Sequence, residues 1–205
     1  MPALDFWFDF ASTYSYPAAI RIAPLAVAAG VTVRYRPFLL GPIFKTQGWA
    51  SSPFNVYEAK GRYMWRDLER LCADLALPCR RPQPFPQNSL LAARVALVGL
   101  GEGWGEAFCR AVFHAEFAAG RRIDDQDVIH DILANLDCDP AAVLDTAQDD
   151  GNKQRLRQQT DERSSAGSSA RQLSSPVTAN CSGATTGWNA RCSGREPAAS
   201  FSVYA

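Results

Sequence analysis

Long hydrophobic runs are absent. No stretch of the chain approaches the roughly 18 to 20 consecutive apolar residues that span a bilayer, so no membrane role is expected. Net charge is absent too. Lys+Arg and Asp+Glu stand at 21 each, which removes the field that would draw nucleic acid or an anionic membrane. Histidine is scarce, with only His114 and His130, and both fall in a segment that carries no other sign of catalysis. The six cysteines are Cys72, Cys79, Cys109, Cys138, Cys181 and Cys192. They include no Cys-x-x-Cys pair and no Cys/His cluster at zinc spacing, so no metal site is expected. They read instead as reduced, buried, small hydrophobes. The opening Met1-Pro2-Ala3-Leu4-Asp5 lacks a basic region followed by an apolar core, and the expected address is cytoplasmic.

What is present reads as an ordinary globular protein. At 205 residues, 47% hydrophobic and 20% charged, the chain can bury one sizeable core, or one domain carrying a large insertion. Leu4, Phe6, Phe8 and Phe10 alternate with Asp5, Trp7 and Asp9, the period-two signature of a strand. Ala11 to Ser15 is small and hydroxylated, as a helix N-cap region should be. The Ala-rich stretch from Tyr16 to Ala29 then stops at Gly30. A second strand over Val31 to Arg36 completes a strand–helix–strand unit and predicts a parallel pair in an α/β domain. Leu39 to Glu58 reads as a Pro/Gly-punctuated loop long enough to carry function. Helices are expected over 60–75, 88–98, 105–119 and 124–136. Another is expected to begin at Asp139-Pro140 and run on through Lys153-Gln154-Arg155, and the acids at Asp124 to Asp127 and at Asp139 mark helix starts.

The first candidate for chemistry is Ser12, where the first strand gives way to the first helix. Unpaired backbone N–H groups and the helix dipole favour an anion at such a point. A hydroxyl there can also donate to a sulfur anion and lower the pKa of its thiol. The competing reading is a plain N-cap, and position alone favours it. The spacing shifts the balance. Ser12-Thr13-Tyr14-Ser15 stands where thioredoxin-like proteins carry Cys-x-x-Cys, with serine in both cysteine positions. Such a chain cannot form that disulfide, but it can activate a thiol supplied by a cofactor, and glutathione is the obvious one.

The stretch from Phe6 through Asp9-Phe10-Ala11-Ser12-Thr13-Tyr14-Ser15 to Tyr16 resembles the FDF-x-S-P-[YF]-S opening of 2-hydroxychromene-2-carboxylate isomerases and kappa-class glutathione transferases. Thr13 stands in place of the usual proline. Arg36-Pro37-Phe38-Leu39-Leu40-Gly41, Lys60-Gly61-Arg62-Tyr63-Met64-Trp65-Arg66-Asp67-Leu68 and Pro84-Phe85-Pro86-Gln87-Asn88-Ser89 are similar to the same family, over about residues 3 to 162. The resemblance implies a thioredoxin-like α/β fold of the DsbA type with a large all-helical insertion, and a homodimer for the intact parent. It implies that Ser12 holds and activates the thiol of glutathione, that Lys45 lies near a substrate carboxylate, and that Asn55 and Phe85 line the substrate pocket. Read without the family, Lys45 is a solvated loop charge and Asn55 a turn residue. Lys60 and Arg62 are expected in solvent, with Tyr63, Met64 and Trp65 in the core.

The implied reaction is glutathione-dependent isomerisation of a small aromatic ring-cleavage product in aromatic hydrocarbon breakdown. Three alternatives stand beside it: a general kappa-class glutathione transferase or peroxidase, a DsbA-like thiol–disulfide oxidoreductase, and a damaged, inactive product. The missing cysteine pair weighs against the oxidoreductase.

Composition changes abruptly after Glu162. Residues 163–205 hold ten serines and one acidic residue, Glu196, with no strand or helix pattern, and read at face value as a disordered tail. The organisation expected is therefore a βαβ part over 1–59, a helical insertion over 60–162 and this tail. The C-terminal half of the thioredoxin sheet is missing from the written sequence. Yet if the third base of each codon is joined to the first two of the next, Ala166 to Ser174 permits the family's G-[IV]-F-G-A-P-T-F. The same shift over Ala179 to Cys192 permits E-L-F-W-G-D-D-R-L-E-R-A-L. Two letters are forced: Asn180-Cys181 gives only Leu, and Trp188-Asn189 only Glu. A single-base frameshift near Glu162 is the expected origin of the tail.

Overall fold

Alternating aromatic residues build the first strand. In the computed structural model, which describes residues 1–170, β1 (Ala3–Phe8) pairs in parallel with β2 (Thr32–Pro37), in register from Ala3 opposite Thr32 to Phe8 opposite Pro37. Helix α1 (Ser15–Ala29) makes the crossover and ends on Gly30 at φ 65°, a left-handed conformation that glycine adopts without strain. Among the described residues the sheet has these two strands and no more. The strand–helix–strand start is the one the sequence predicts. No helix of the described residues is long and apolar enough to cross a membrane.

The predicted loop over Leu39 to Glu58 holds two short helices instead, α2 (Leu40–Thr46) and α3 (Pro53–Val56). Ser52 caps α3 by accepting from Phe54 N, with Pro53 at the first helical position. The helical segment then runs α4 (Glu58–Asp74), α5 (Leu90–Glu102), α6 (Gly105–Phe117), α7 (Gln126–Ala134), α8 (Pro140–Ala147) and α9 (Asp150–Ala170). The expected acidic starts hold: Asp125 accepts from Asp127 N, and Asp139 accepts from Ala141 N and Ala142 N. The single helix expected from Asp139 through Arg155 is two. The break falls at Gln148-Asp149, where Asn152 Nδ2 donates 3.0 Å to Ala147 O and so terminates α8 with a side-chain amide. Helix α9 continues past Glu162 to Ala170 and packs beside the end of β2, with Gln159 Nε2 donating 2.6 Å to Pro37 O and Leu39 N donating 3.2 Å to Thr160 Oγ1. The expected disordered tail lies, beyond residue 170, outside the described residues.

The core joins the strands to the insertion through stacked aromatics. Phe8 and Phe10 meet Phe113 of α6 at ring distances of 5.8 and 5.0 Å, and Tyr16 stacks on Phe117 at 5.4 Å. Such pairs add directional attraction to the area they bury. Met64 and Trp65 are core residues as expected, but Tyr63 is 65% exposed. It falls on the same outward face of α4 as Arg62, which ion-pairs with Glu58.

Helices α5 and α6 turn sharply through Gly103, at φ 94°, and their backbones nearly touch. A Cβ on Gly105 would run into Leu100 N and lie 2.6 Å from Gly99 C and 2.7 Å from Leu100 Cα, all of them backbone atoms that cannot rotate away. Gly105→Ala is therefore expected to cost about 2–3 kcal/mol by forcing the helices apart. Urea unfolding of the variant measures this, and a cost under about 0.5 kcal/mol, typical of an unconstrained surface site, would contradict the packing.

Candidate functional site

The strand period fails at Asp9, and the failure builds the site. Expected on the outward face of the strand, Asp9 lies just beyond β1 and is 4% exposed. Its carboxylate collects three donors from three segments. Oδ1 accepts from Ala11 N at 3.0 Å and from Ser89 Oγ at 2.6 Å, and Oδ2 accepts from Leu40 N at 2.7 Å. Ala11 belongs to the turn before α1, Leu40 is the first residue of α2, and Ser89 is the N-cap residue of α5. One buried anion thus joins the turn to two helix starts, whose dipoles favour negative charge. Burial pushes the Asp9 pKa up, while the bonds from Leu40, Ser89 and Ala11 act in the opposite sense.

Ser12 sits in the turn that Asp9 shapes. Ser12 N donates 3.0 Å to Asp9 O, and Ser12 O accepts from Ser15 N at 3.2 Å. The hydroxyl itself is buried and has no protein partner among the described residues, and the same is true of Thr13 Oγ1. The plain N-cap reading of Ser12 is thereby set aside. The N-cap of α1 is Tyr14, and it makes no side-chain cap bond. Two adjacent hydroxyls are left buried and unpaired in a turn that leads into a 15-residue helix, a condition folded proteins rarely tolerate without a reason. The Tyr14 hydroxyl closes the turn from the other side by donating 2.8 Å to Asp67 Oδ2 on α4. Burial, then Asp67, raises its pKa.

The remaining sequence-predicted residues fall into two groups. Asn55 and Phe85 are brought together: Asn55 Nδ2 donates 3.2 Å to Phe85 O and 3.2 Å to Ser51 Oγ, joining α3 to the segment before α5. Phe85 packs edge-on against Trp65 at 4.8 Å, and the Arg81 guanidinium lies over the same indole at 5.1 Å from the ring centroid. Lys45 stands apart, exposed near the end of α2, and its side chain makes no hydrogen bond or ion pair among the described residues. It shares a helix with Leu40, whose N–H binds Asp9, so the clamp that shapes the Ser12 turn also fixes the helix that carries Lys45. His114 and His130 are both exposed on the insertion. Among the described residues no group of His, Cys, Asp and Glu has the makings of a metal site.

Sequence reasoning missed Asp9 and Ser89 as parts of the site, although both lie inside motifs it quoted. The phenylalanine alternation gives no sign that this acid turns inward, because the groups that hold it lie far along the chain. Glu116 was missed altogether. It is 0% exposed on α6, and neither carboxylate oxygen has a protein partner among the described residues. Burial first, then Asp9 and Asp124, push its pKa well above the usual carboxylate range, which favours the protonated form behind the clamp. Gln87 Nε2 is likewise buried and unpaired, while Gln87 Oε1 accepts from Ile123 N at 2.7 Å. No residue pattern betrays this acid, because its position follows the inward face of a helix otherwise filled by Phe113 and Phe117.

Comparison with known proteins gives the geometry its context. The 2-hydroxychromene-2-carboxylate isomerase of Sphingobium xenophagum is 30% identical over 143 residues, spanning 69% of this chain and 72% of that protein. Glutathione S-transferase kappa 1 of Caenorhabditis elegans is 36% identical over 86 residues, which is 42% of this chain and 37% of that one. Among solved structures, a 2-hydroxychromene-2-carboxylate isomerase superposes with a TM-score of 0.71 at 24% identity, over 79% of each chain. That match places the fold, a thioredoxin-like α/β unit with a helical insertion. Residues 3–168 match the family described as DSBA-like thioredoxin domain, and the chain belongs to that family.

Proposed function

We propose that this chain is built as a glutathione-dependent isomerase of the 2-hydroxychromene-2-carboxylate type, with Ser12 as the group that holds the glutathione thiol. One observation carries the reading: the Ser12 hydroxyl is buried, fixed through its backbone, and without a partner among the described residues. A donor so placed is desolvated in advance and ready for an anion, and a hydrogen bond to a thiolate favours that form over the thiol. The adjoining Thr13 hydroxyl, also buried and unpaired, fits the same anion. The names of the two relatives, an isomerase and a glutathione transferase, support the class of chemistry.

When bound, glutathione supplies a thiolate nucleophile for reversible attack on a conjugated substrate. The chain's own residues hold and orient. Ser12 Oγ donates to the sulfur, Asp9 keeps the turn in shape, and Lys45 has the free charge needed to take a carboxylate. Asn55 and Phe85, already joined to each other, form an aromatic and polar wall for a small aromatic substrate. A homodimer, a cytoplasmic address and a place in aromatic compound breakdown belong to the same proposal.

The proposal extends to the gene. We infer a single-base frameshift near Glu162, because the shifted codons permit two motifs of this family in order and the family match ends at residue 168. Resequencing across the codons for Gln158 to Ala170 decides it: a clean, unshifted reading would make the Ser-rich tail genuine. The functional test is Ser12→Ala, made in the protein as written and in one with the frame restored. Turnover is expected to fall by about 10²-fold, as on loss of one donor to a reacting anion, and the pKa of the bound glutathione thiol is expected to rise. Unchanged turnover and thiol pKa would refute the role of Ser12. A stable thioether product in place of an isomerised one would move the reading to a transferase.

A further inference from the structure

A second pair of reactive groups meets at the far end of α4, away from the Ser12 turn. The helix closes in a Schellman reversal: Leu77 N donates 2.8 Å to Cys72 O, Ala76 N donates 3.1 Å to Ala73 O, and Ala76 takes φ 54°. The reversal carries residues 77–79 back along the last helical turn. Anchors on both sides then hold Cys79 in place. Pro78 O accepts from Tyr16 Oη at 2.8 Å, and Arg80 N donates 2.6 Å to Phe117 O. The result is that the Cys79 side chain lies beside that of Cys72, near enough for each thiol to affect the other. Cys72 is 0% exposed, whereas Cys79 is only half-buried. The other described cysteines lack such a partner: Cys109 is buried among core residues, and the Cys138 thiol donates to Leu136 O at 3.6 Å.

We propose that Cys72 and Cys79 form a redox modification site, a dithiol that a small disulfide such as glutathione disulfide or cystine converts to an intramolecular disulfide. The less buried sulfur, that of Cys79, reacts first. The Cys79 thiolate attacks one sulfur of the small disulfide, forms a mixed disulfide and releases one equivalent of small thiol, which carries away the proton. Cys72, already beside it, loses its proton and attacks the Cys79 sulfur, releasing the second equivalent. The protein dithiol gives up two electrons and two protons, and the small disulfide takes them up. The bond requires the sulfurs to close to about 2.05 Å, over a segment whose ends are already held in register by the helix reversal. Once formed, it staples the end of α4 to the segment that leads on to Phe85.

The reaction is expected to be slow at neutral pH. Burial, and then the neighbouring Cys79, pushes the Cys72 thiol up to about 12, and burial raises Cys79 as well. Little thiolate is present to attack, so the rate should climb with pH. The product should also be slow to reduce, because a thiol of raised pKa is a poor leaving group.

The test uses the full chain, reduced and then incubated with glutathione disulfide at mildly alkaline pH. Acid quenching, alkylation of free thiols and tryptic mapping follow. Both cysteines fall in one peptide, Leu71 to Arg80, which is expected unalkylated and lighter by two hydrogens. Cystine should give the same product, so the result does not depend on any glutathione site. Cys72→Ser should stop the reaction at a mixed disulfide on Cys79. The oxidised fraction at a fixed thiol–disulfide ratio should be at least about tenfold higher in the native protein than in urea. Repeating the measurement in Cys181→Ser/Cys192→Ser removes exchange with the cysteines beyond residue 170. A fully alkylated peptide, a mixed disulfide that persists in the unmutated chain, or an equal oxidised fraction in urea would each overturn the proposal.

Discussion

Asp9→Ala is expected to lose about 3–5 kcal/mol of stability, the cost of breaking a buried charged group away from its hydrogen-bonding partners. The substitution strips the acceptor from Ala11 N, Leu40 N and Ser89 Oγ in one step. Among the described residues none of the three has another partner, and the site is closed to water, Asp9 itself being 4% exposed. At about 2–4 °C per kcal/mol for a chain of this size, the midpoint of thermal unfolding should fall by roughly 10 °C. Asp9→Asn separates shape from charge. The amide oxygen can still take two of the donors, but its NH2 must face the third, so the loss should be about 1–3 kcal/mol. Hydrogen exchange reads the same clamp locally, through faster exchange at the Leu40 and Ala11 amides. If the alanine variant unfolds within about 0.5 kcal/mol of the parent, as an exposed, unconstrained position would, the clamp carries no weight in the fold.

Asp9 also shows how far the sequence could be read. Period two was clear in Phe6, Phe8 and Phe10, because a half-buried strand must put every second side chain inward. That pattern could not reveal that the strand stops at Phe8, nor that Asp9 folds inward as an anion. The signal for that lies in the positions of Leu40 and Ser89, thirty-one and eighty residues away. The helix starts at Asp125 and Asp139 were legible because a cap is local: the accepting side chain and its N–H donors lie within three residues. The α8–α9 break was not, since the amide that ends α8 comes from Asn152, inside the following helix. Ser12 was legible as a position, by its place after the first strand. That its hydroxyl is unpaired rather than capping depends on the turn geometry, which only the fold supplies. Asn55 and Phe85 were named separately through resemblance, and the fold joins them by a single hydrogen bond.

Glu116 gives the second large effect, and its sign runs against the usual acid. Its pKa in the folded chain is raised well above the ordinary 4.5, first by burial and then by Asp9 and Asp124. Below the ordinary value both folded and unfolded chains hold the proton, and the residue carries no ionisation penalty. Above it the unfolded chain releases the proton while the folded chain keeps it. Stability therefore falls by about 1.4 kcal/mol for each pH unit until the folded pKa is reached. Asp9, raised by burial, adds in the same direction. Asp124 acts oppositely, since its bond to Arg122 lowers its pKa, but it lies near the surface, where such pairs contribute little. Replacing Glu116 with methionine keeps the volume and removes two buried oxygens that have no protein partner. Glu116→Met is thus expected to gain about 1–3 kcal/mol at neutral pH, and distinctly less below the ordinary carboxylate range, where only the burial of an uncharged carboxyl is relieved. Urea unfolding across that range distinguishes this from simple repacking, which would shift both ends alike. A variant less stable than the parent at every pH by a constant amount would show that Glu116 is held by partners in the folded chain, and that it is not a neutral acid kept behind the Asp9 clamp.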